Sequence, residues 1–156
     1  FISFADADLA TPLSEIVRLS TFLRDSPEVQ MAFGIRLLKI GSQIERKNTR
    51  HYGGRVIATL ISMALRLPIY DTQCGAKVFR NSEYLDFILN KPFTSRWLFD
   101  VEIFFRTIKF AGGRKAAMNI LHEEPLLQWT EMGDSKVTLM DILKVPYEIL
   151  KINRQY

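Results

Sequence analysis

The sequence has one cysteine, Cys74, among 156 residues, so the chain cannot form an internal disulfide. A small secreted fold stapled by disulfides is therefore excluded, and a reducing compartment is favoured. The sequence also lacks a long hydrophobic run. The longest apolar segment, 56–65, lies between Arg55 and Arg66 and is far shorter than the roughly 20 residues that a membrane-spanning helix needs.

Neither sign of charge dominates the composition. The 21 Lys and Arg residues against 17 Asp and Glu residues give a formal charge of +4 and a sequence pI of about 9.3. This excess suits an anionic ligand or a membrane surface, but many proteins with neither carry as much. The contents of 47% hydrophobic and 24% charged residues are typical of a globular domain and exclude a disordered chain.

Repeats, low-complexity tracts and flexible linkers are absent, so we take the chain as one folding unit. It opens on the hydrophobic segment 1–4, with no initiator methionine, signal peptide or polar lead-in. Such an opening is typical of a buried strand that is already under way. We therefore expect the sequence to be a piece of a longer protein.

Hydrophobic periodicity predicts strands that alternate with helices, which is the pattern of an α/β fold with a parallel or mixed sheet. Thr11 and Pro12 predict an N-cap and first turn, and Gly112 with Gly113 predicts the end of a later helix. The predicted strands cover 1–5, 29–34, 76–80 and 116–121, and the predicted helices cover 13–23, a segment ending near 67, 82–89, 100–111 and a last segment from 138.

Two carboxylates, Asp6 and Asp8, directly follow the opening strand. Ligand sites of open α/β sheets lie at the carboxyl ends of strands, and two carboxylates on one short turn can hold a hard divalent cation that bridges phosphates. A solvated turn in which an Asp caps the backbone explains the same short pattern. The strand before the turn and the helix start after it are the context that favours a cation site.

Arg46 and Arg50 lie one helical turn apart in a polar, basic segment that leads into an apolar helix. If this segment is helical, both guanidinium groups project from one face and can bind a single phosphate. A solvated basic turn is the alternative. The apolar helix could be ordinary core or could lie in a membrane interface.

The segment 71–75, Asp-Thr-Gln-Cys-Gly, is a polar loop before a predicted strand. It could place Asp71 beside a reacting centre. Equally, it could be an Asx-turn with a structural Gly75. Cys74 has no histidine or second cysteine nearby in the sequence, so we interpret it as a small packed residue rather than a nucleophile.

Two further segments carry candidate binding residues. In segment 96–102, Trp97 offers a flat wall for a sugar ring or packs in the core. Asp100 in the same segment either caps the following helix or faces the site. In the other, 133–136, Lys136 could close over a phosphate, or the segment could be an ordinary turn before the last helix.

Together these motifs resemble the C-terminal half of the family 2 glycosyltransferases, in the branch that transfers sugars onto polyprenyl phosphates. They keep the order and approximate spacing of that branch over nearly the whole chain, and their joint match is far more specific than any one of them. The motifs are Asp6-Ala7-Asp8, Arg46 with Arg50, 71–79, 96–102, and 129–131 with Ser135 and Lys136.

The resemblance implies a GT-A-like fold, a Rossmann-like α/β structure with a mixed sheet flanked by helices. It also implies a nucleotide-sugar donor, with UDP-glucose favoured, and an inverting transfer to a polyprenyl phosphate at the cytoplasmic face of a membrane. A divalent metal, Mg²⁺ or Mn²⁺, would be held on the donor diphosphate by Asp6 and Asp8.

The resemblance also assigns roles to single residues. Asp71 resembles the candidate catalytic carboxylate of the family. The acceptor phosphate would be steered by Arg36, Arg46 and Arg50. The other substrate-binding candidates are Gln73, Trp97, Asp100, Ser135 and Lys136, with Lys136 closing over the diphosphate together with its loop.

The chain departs from the family pattern in three places. The family begins with a βαβ segment that recognises the base and ribose of the donor, and no such segment precedes Phe1. We therefore expect residues 1–156 to be the C-terminal portion of a single catalytic domain, which on its own could be inactive. Ile35 stands where the family usually has Ser, and Ala76 stands where it usually has Phe.

The acceptor decides what Asp71 must do. A phosphate acceptor is already anionic near neutral pH, because its second pKa is about 6. We therefore expect Asp71 to position the acceptor or the sugar hydroxyls at least as much as to remove a proton. A saccharide acceptor would instead need Asp71 as a true base.

An alternative from another class is a non-catalytic module that binds an anionic membrane through the basic stretch. No nucleic-acid partner is expected, since the basic residues lack interleaved aromatic residues and accompany no nucleic-acid-binding motif.

Overall fold

The computed structural model describes residues 1–45, 48–132 and 139–156, and these residues form the α/β structure that the sequence predicts. The elements in chain order are β1 (Ile2–Ala5), α1 (Leu13–Asp25), β2 (Met31–Ile35), β3 (Gln43–Glu45), α2 (Asn48–Leu65), β4 (Ala76–Phe79), α3 (Glu83–Leu89), α4 (Phe99–Phe110), α5 (Arg114–Ile120), β5 (Leu121–Pro125), β6 (Gln128–Thr130) and α6 (Leu139–Asn153).

In the part of the chain that the structure describes, four strands form the central sheet in the order β1, β4, β2, β5. β4 runs antiparallel to both β1 and β2, whereas β5 pairs with β2 in parallel. The carboxyl ends of β1, β2 and β5 therefore meet at one edge of the sheet, together with the amino end of β4. We call this edge the carboxyl edge. β3 and β6 form a separate parallel pair.

Helices pack against both faces of the sheet. On one face, Leu19 of α1 is buried in a cluster with Ala32 of β2 and Val78 of β4. On the other face, Phe33 of β2 packs edge-on against Phe104 of α4 in a larger apolar cluster that also draws on α2, α3 and α6. All five residues of β2 are buried, as expected of a strand covered on both sides. This mixed sheet flanked by helices is consistent with a GT-A-like fold.

The apolar helix that the sequence predicts before residue 67 is α2. Ile57, Ile61 and Leu65 recur at helical spacing and are buried, whereas Leu60 and Met63 are exposed. Within the described ranges of the chain, no helix is both long enough and apolar enough to cross a membrane.

The predicted end of α4 is confirmed. Gly112 and Gly113 follow the helix with φ angles of +78° and +149°, which residues with a Cβ rarely adopt. The Gly113 N–H donates to the Ile108 carbonyl at 2.9 Å, so the turn satisfies an otherwise unpaired group of the last helical turn.

The predicted strand at 116–121 is wrong, because this segment belongs mostly to helix α5. Its sequence Arg-Lys-Ala-Ala-Met is rich in strong helix formers, and the helix buries Ala117 alone among its residues. The strand begins later, at Leu121, and carries three consecutive polar residues that interrupt the hydrophobic alternation. β3 and β6 were not predicted at all, since three residues are too few to show a period.

The predicted N-cap of α1 is also wrong. Pro12 occupies the N-cap position, the helix begins at Leu13, and no side chain among the described residues caps it. Thr11 is buried instead, and its hydroxyl oxygen has no hydrogen-bond partner in the described part of the chain. Packing of the segment after β1 therefore overrides the capping preference of Thr11.

Candidate active site at the carboxyl edge of the sheet

Charged side chains from distant parts of the sequence meet at the carboxyl edge. Asp6 follows β1, Arg36 follows β2, and the loop 71–75 leads into β4. The Asp6 N–H donates to the Gly75 carbonyl at 3.1 Å, which joins the first and last of these segments. The sheet topology therefore brings Asp6, Arg36 and Asp71 together.

A tight turn holds Asp6 and Asp8. The Leu9 N–H donates to the Asp6 carbonyl at 3.0 Å, and the Ala10 N–H donates to Asp8 Oδ1 at 3.0 Å. Leu9 has a φ of +53°, a left-handed conformation that costs a residue with a Cβ about 1–2 kcal/mol. Asp8 thus caps the turn, as one interpretation of the sequence predicts. The turn fixes the backbone positions from which both carboxylates project.

Asp6 lies directly over Gly75. A Cβ at this glycine would stand 1.8 Å from Asp6 Oδ2, so only a residue without a side chain permits the approach. Burial, and then the charge of Asp8, raise the pKa of Asp6 above its ordinary value, while Lys77 and Arg36 act to lower it. Asp6 is therefore a half-buried carboxylate in a site of excess negative charge.

Asp71 forms a two-pronged ion pair with Arg36. Arg36 Nε donates to Asp71 Oδ2 at 2.6 Å, and Arg36 Nη2 donates to Asp71 Oδ1 at 2.8 Å. Burial acts to raise the pKa of Asp71, but the charge and hydrogen bonds of Arg36 outweigh it and hold that pKa below its ordinary value. Asp71 is thus ionised with both oxygens engaged, which makes it a weak proton acceptor.

The loop that carries Asp71 is also an Asx-turn. The Gln73 N–H donates to Asp71 Oδ1 at 3.2 Å, so this part of the structural alternative is confirmed. Cys74 is fully buried, as its interpretation as a packed residue predicts, and burial raises the pKa of its thiol to about 11. The thiol is therefore neutral at physiological pH and inert as a nucleophile.

Asp100 lies in the first turn of α4 but does not cap the helix, whose N-cap is Leu98. Its Oδ1 accepts a hydrogen bond at 2.6 Å from Nζ of Lys77, a fully buried side chain of β4. The same Nζ donates to the Cys74 carbonyl at 2.7 Å. Burial raises the pKa of Asp100 and Lys77 acts to lower it. Lys77 therefore ties α4 to the loop 71–75 beneath the site.

Sequence reasoning missed the roles of Lys77 and Glu123, and it missed the contact between Arg36 and Trp129. The Arg36 guanidinium carbon lies 5.4 Å from the ring centre of Trp129 in β6, within cation–π range. The signal that could have revealed Lys77 is a charged residue inside a predicted short strand, because such a residue is buried only with a partner. Glu123 lies outside every predicted strand, so no such signal pointed to it.

Other predicted residues are placed less fully. Trp97 is half-buried and packs against the larger core cluster, and its role as a wall for a sugar stays a prediction. Arg46, Ser135 and Lys136 lie outside the described residues. Arg50 lies in α2, but the structure describes only its backbone.

The residues at this edge fit a divalent cation such as Mg²⁺. Their oxygens are hard donors, and Mg²⁺ is commonly bound by one or two carboxylates that substrate phosphates complete. No cluster of three or more potential metal-ligating side chains occurs in the ranges that the structure describes. Carboxylates outnumber cations among the described groups that influence one another here, namely Asp6, Asp8, Asp71 and Asp100 against Arg36 and Lys77.

If Asp6 and Asp8 hold a divalent cation, as the resemblance implies, adding a methyl group at Gly75 should weaken its binding by displacing the Asp6 carboxylate. The Gly75→Ala variant should bind Mn²⁺ about tenfold more weakly in calorimetric titrations, with a stability loss of at most about 1–3 kcal/mol because a short side chain can rotate away.

The matched control for this prediction is a double-mutant cycle. Asp6→Ala removes the atoms that a Gly75 methyl would meet, so in that background Gly75→Ala should cause no further loss in the free energy of unfolding. Additive losses would contradict the placement of Asp6 over Gly75.

Comparisons with known proteins agree with the motifs. Over 98% of its length the chain is 29% identical to a dolichyl-phosphate beta-glucosyltransferase of Saccharomyces cerevisiae, of which it covers 47%. Over 97% of its length it is 27% identical to the dolichyl-phosphate beta-glucosyltransferase ALG5C of Trichomonas vaginalis, of which it covers 43%. The glycosyltransferase AglD of Haloferax volcanii is 30% identical over 95% of the chain, which covers 22% of that protein.

The chain thus spans less than half the length of the curated relatives that it matches. No protein-family model and no solved structure matches it. The resemblance to glycosyltransferases that act on polyprenyl phosphates is nevertheless confirmed, because the chain is similar over nearly its whole length to dolichyl-phosphate glucosyltransferases.

Proposed function

We propose that the chain is the C-terminal portion of the catalytic domain of a glycosyltransferase that moves glucose from UDP-glucose to a polyprenyl or dolichyl phosphate, with inversion at the anomeric carbon. The observation that carries the proposal is the meeting of Asp6, Arg36 and Asp71 at the carboxyl edge, although they lie on three separate segments. The similarity to dolichyl-phosphate glucosyltransferases supports the same donor and acceptor classes.

In this proposal, Asp6 and Asp8 hold Mg²⁺ or Mn²⁺ against the donor diphosphate. The cation, when bound, neutralises charge on the leaving nucleotide. The excess of carboxylates at this edge supports that assignment, because it favours a cation over an isolated anionic ligand.

The state of Asp71 supports a phosphate acceptor over a saccharide hydroxyl. A hydroxyl acceptor needs a base with a free oxygen and a pKa near neutrality, whereas Arg36 engages both Asp71 oxygens and lowers its pKa. A lipid phosphate arrives already anionic. We therefore propose that Asp71 positions Arg36, and that Arg36 steers the acceptor together with Arg46 and Arg50.

The enzyme would work at the cytoplasmic face of a membrane, where its acceptor is anchored. The exposed apolar residues Leu60 and Met63 of α2 support a helix that meets a lipid surface. Ser135 and Lys136 would close over the diphosphate, and Gln73, Trp97 and Asp100 would line the sugar site.

The test is an assay of the full-length protein with labelled UDP-glucose, Mg²⁺ and a polyprenyl phosphate in detergent. We expect a lipid-linked β-glucose, identified by mass spectrometry and by its configuration. Transfer to free saccharides but not to the lipid phosphate would favour the saccharide alternative. Binding to anionic vesicles without transfer from any nucleotide sugar would favour the non-catalytic module.

Arg50→Ala should raise the apparent KM for the lipid acceptor about tenfold or more, because a charge-assisted contact to phosphate contributes roughly 1.5–3 kcal/mol. The KM for the donor should change little. Side-by-side kinetics with both substrates would measure this, with Arg24→Ala as the control, since Arg24 is an exposed residue that pairs with Asp25 on α1. An unchanged acceptor KM would remove Arg50 from the site.

A further inference from the structure

Glu123 stands apart from its neighbours in β5. His122 stacks on Phe22 of α1, and Glu124 accepts hydrogen bonds from Arg18 of the same helix and from His122. Successive side chains of a strand point to opposite faces, so Glu123 lies on the face of the sheet away from α1. That is the side from which the backbone at residues 70 and 71 approaches the sheet.

One oxygen of Glu123 receives two consecutive backbone amides. Its Oε1 accepts the Tyr70 N–H at 2.6 Å and the Asp71 N–H at 3.2 Å. Both bonds are to a carboxylate, which makes them stronger than bonds between neutral groups. The register pairs Glu123 with Phe33, two residues before the end of β2, so the same pair of strands carries Glu123 and leads to Arg36.

This placement has a cost that needs a reason. Burial raises the pKa of Glu123, and the nearby charge of Asp71 raises it further, while the two backbone amides act to lower it. A second carboxylate beside Asp71 is therefore electrostatically unfavourable. The two backbone hydrogen bonds are what the chain gains from a charged residue at this position.

We propose that Glu123 is a positioning residue for Asp71, and the inference rests on the function proposed above. Glu123 of β5 fixes the backbone of Asp71, and Arg36, which directly follows β2, fixes its side chain. Glu123 contacts neither donor nor acceptor in this role. Without it, the Arg36–Asp71 pair would persist but would be displaced relative to Asp6.

The test compares Glu123→Ala with Glu123→Gln in the full-length protein. Alanine removes the acceptor oxygen, whereas glutamine keeps one. Because small misplacements of the groups that orient the acceptor are costly, we expect Glu123→Ala to lower kcat by about tenfold to a hundredfold with little change in either KM. Glu123→Gln should restore most of kcat. The matched control is Glu124→Gln on the opposite face, which should leave kcat near that of the wild type.

Hydrogen exchange at the Tyr70 and Asp71 amides gives a readout that does not need activity. Exchange should quicken in Glu123→Ala and stay slow in both glutamine variants. Unchanged exchange, or faster exchange with an unchanged kcat, would overturn the proposal. If the wild-type protein were inactive but showed the expected exchange pattern, the proposed function would be wrong, and so would the effect of Glu123 on turnover. The hydrogen bonds from the Tyr70 and Asp71 amides to Glu123 would still be supported.

Discussion

Replacing Asp71 with alanine should lower the turnover of the full-length protein by about a hundredfold or more. The change releases Arg36 from a bidentate pair in which both partners are mostly buried, so the guanidinium loses its orientation toward the acceptor. Removing the pair should also lower the free energy of unfolding by about 1.5–3 kcal/mol. Steady-state kinetics and urea unfolding of the same variant measure the two effects.

The asparagine variant separates a positioning role from a base. Asp71→Asn keeps the shape and one acceptor oxygen, so turnover should fall less than in Asp71→Ala, and the pH optimum should not move. Recovery of activity only at high pH would indicate that Asp71 removes a proton. Arg36→Lys serves as the reciprocal variant, because lysine keeps the charge but cannot form the two parallel hydrogen bonds to Asp71. The turnover of this variant should therefore fall as well.

The stability of the wild type should carry a matching pH signature. The folded-state pKa of Asp71 lies below its ordinary value of 3.8, so its contribution is present above that pH and is lost as the pH falls through the folded-state value. The difference in unfolding free energy between wild type and Asp71→Asn should therefore be constant near neutrality and shrink in acid. A difference that grew on acidification would contradict the assigned direction of the shift.

Neutralising Asp8 should abolish divalent-dependent turnover while leaving the fold intact. Asp8 is exposed and lies on a turn that Asp6 begins, so Asp8→Asn removes a hard oxygen ligand and a charge at little structural cost. We expect turnover to fall by at least about a hundredfold and to recover only partly at high Mn²⁺. Asp6→Asn should behave in the same way.

The control for these variants is Asp25→Asn. Asp25 is an exposed carboxylate at the end of α1 that pairs with Arg24, so its neutralisation removes the same charge far from the carboxyl edge and should leave turnover unchanged. Equal activity of the wild type with and without a chelator would refute the metal assignment for Asp6 and Asp8.

The sequence predicted the α/β class and most of the helices because their periods are long enough to read. α1, α2 and α4 each show apolar residues at helical spacing, and the glycines after α4 mark its end. It did not predict β5, since His122, Glu123 and Glu124 interrupt the alternation that identifies a strand. Glu124 binds Arg18 of α1, and Glu123 binds the backbone at residues 70 and 71. These partners are distant in sequence, so local pattern could not account for the two glutamates.

The sequence by itself determined which residue types stand at the ends of the strands: a pair of carboxylates after β1, an arginine after β2, and an Asp and a Gly before β4. Tertiary structure alone decided which of them touch. The antiparallel insertion of β4 between β1 and β2 brings Gly75 under Asp6 and Asp71 against Arg36, and it buries Lys77 beneath both. Strand order depends on how the helices cover both faces of the sheet. The two backbone hydrogen bonds that Glu123 accepts depend on the register of β5 with β2. These are long-range packing choices, and no short window of sequence contains them.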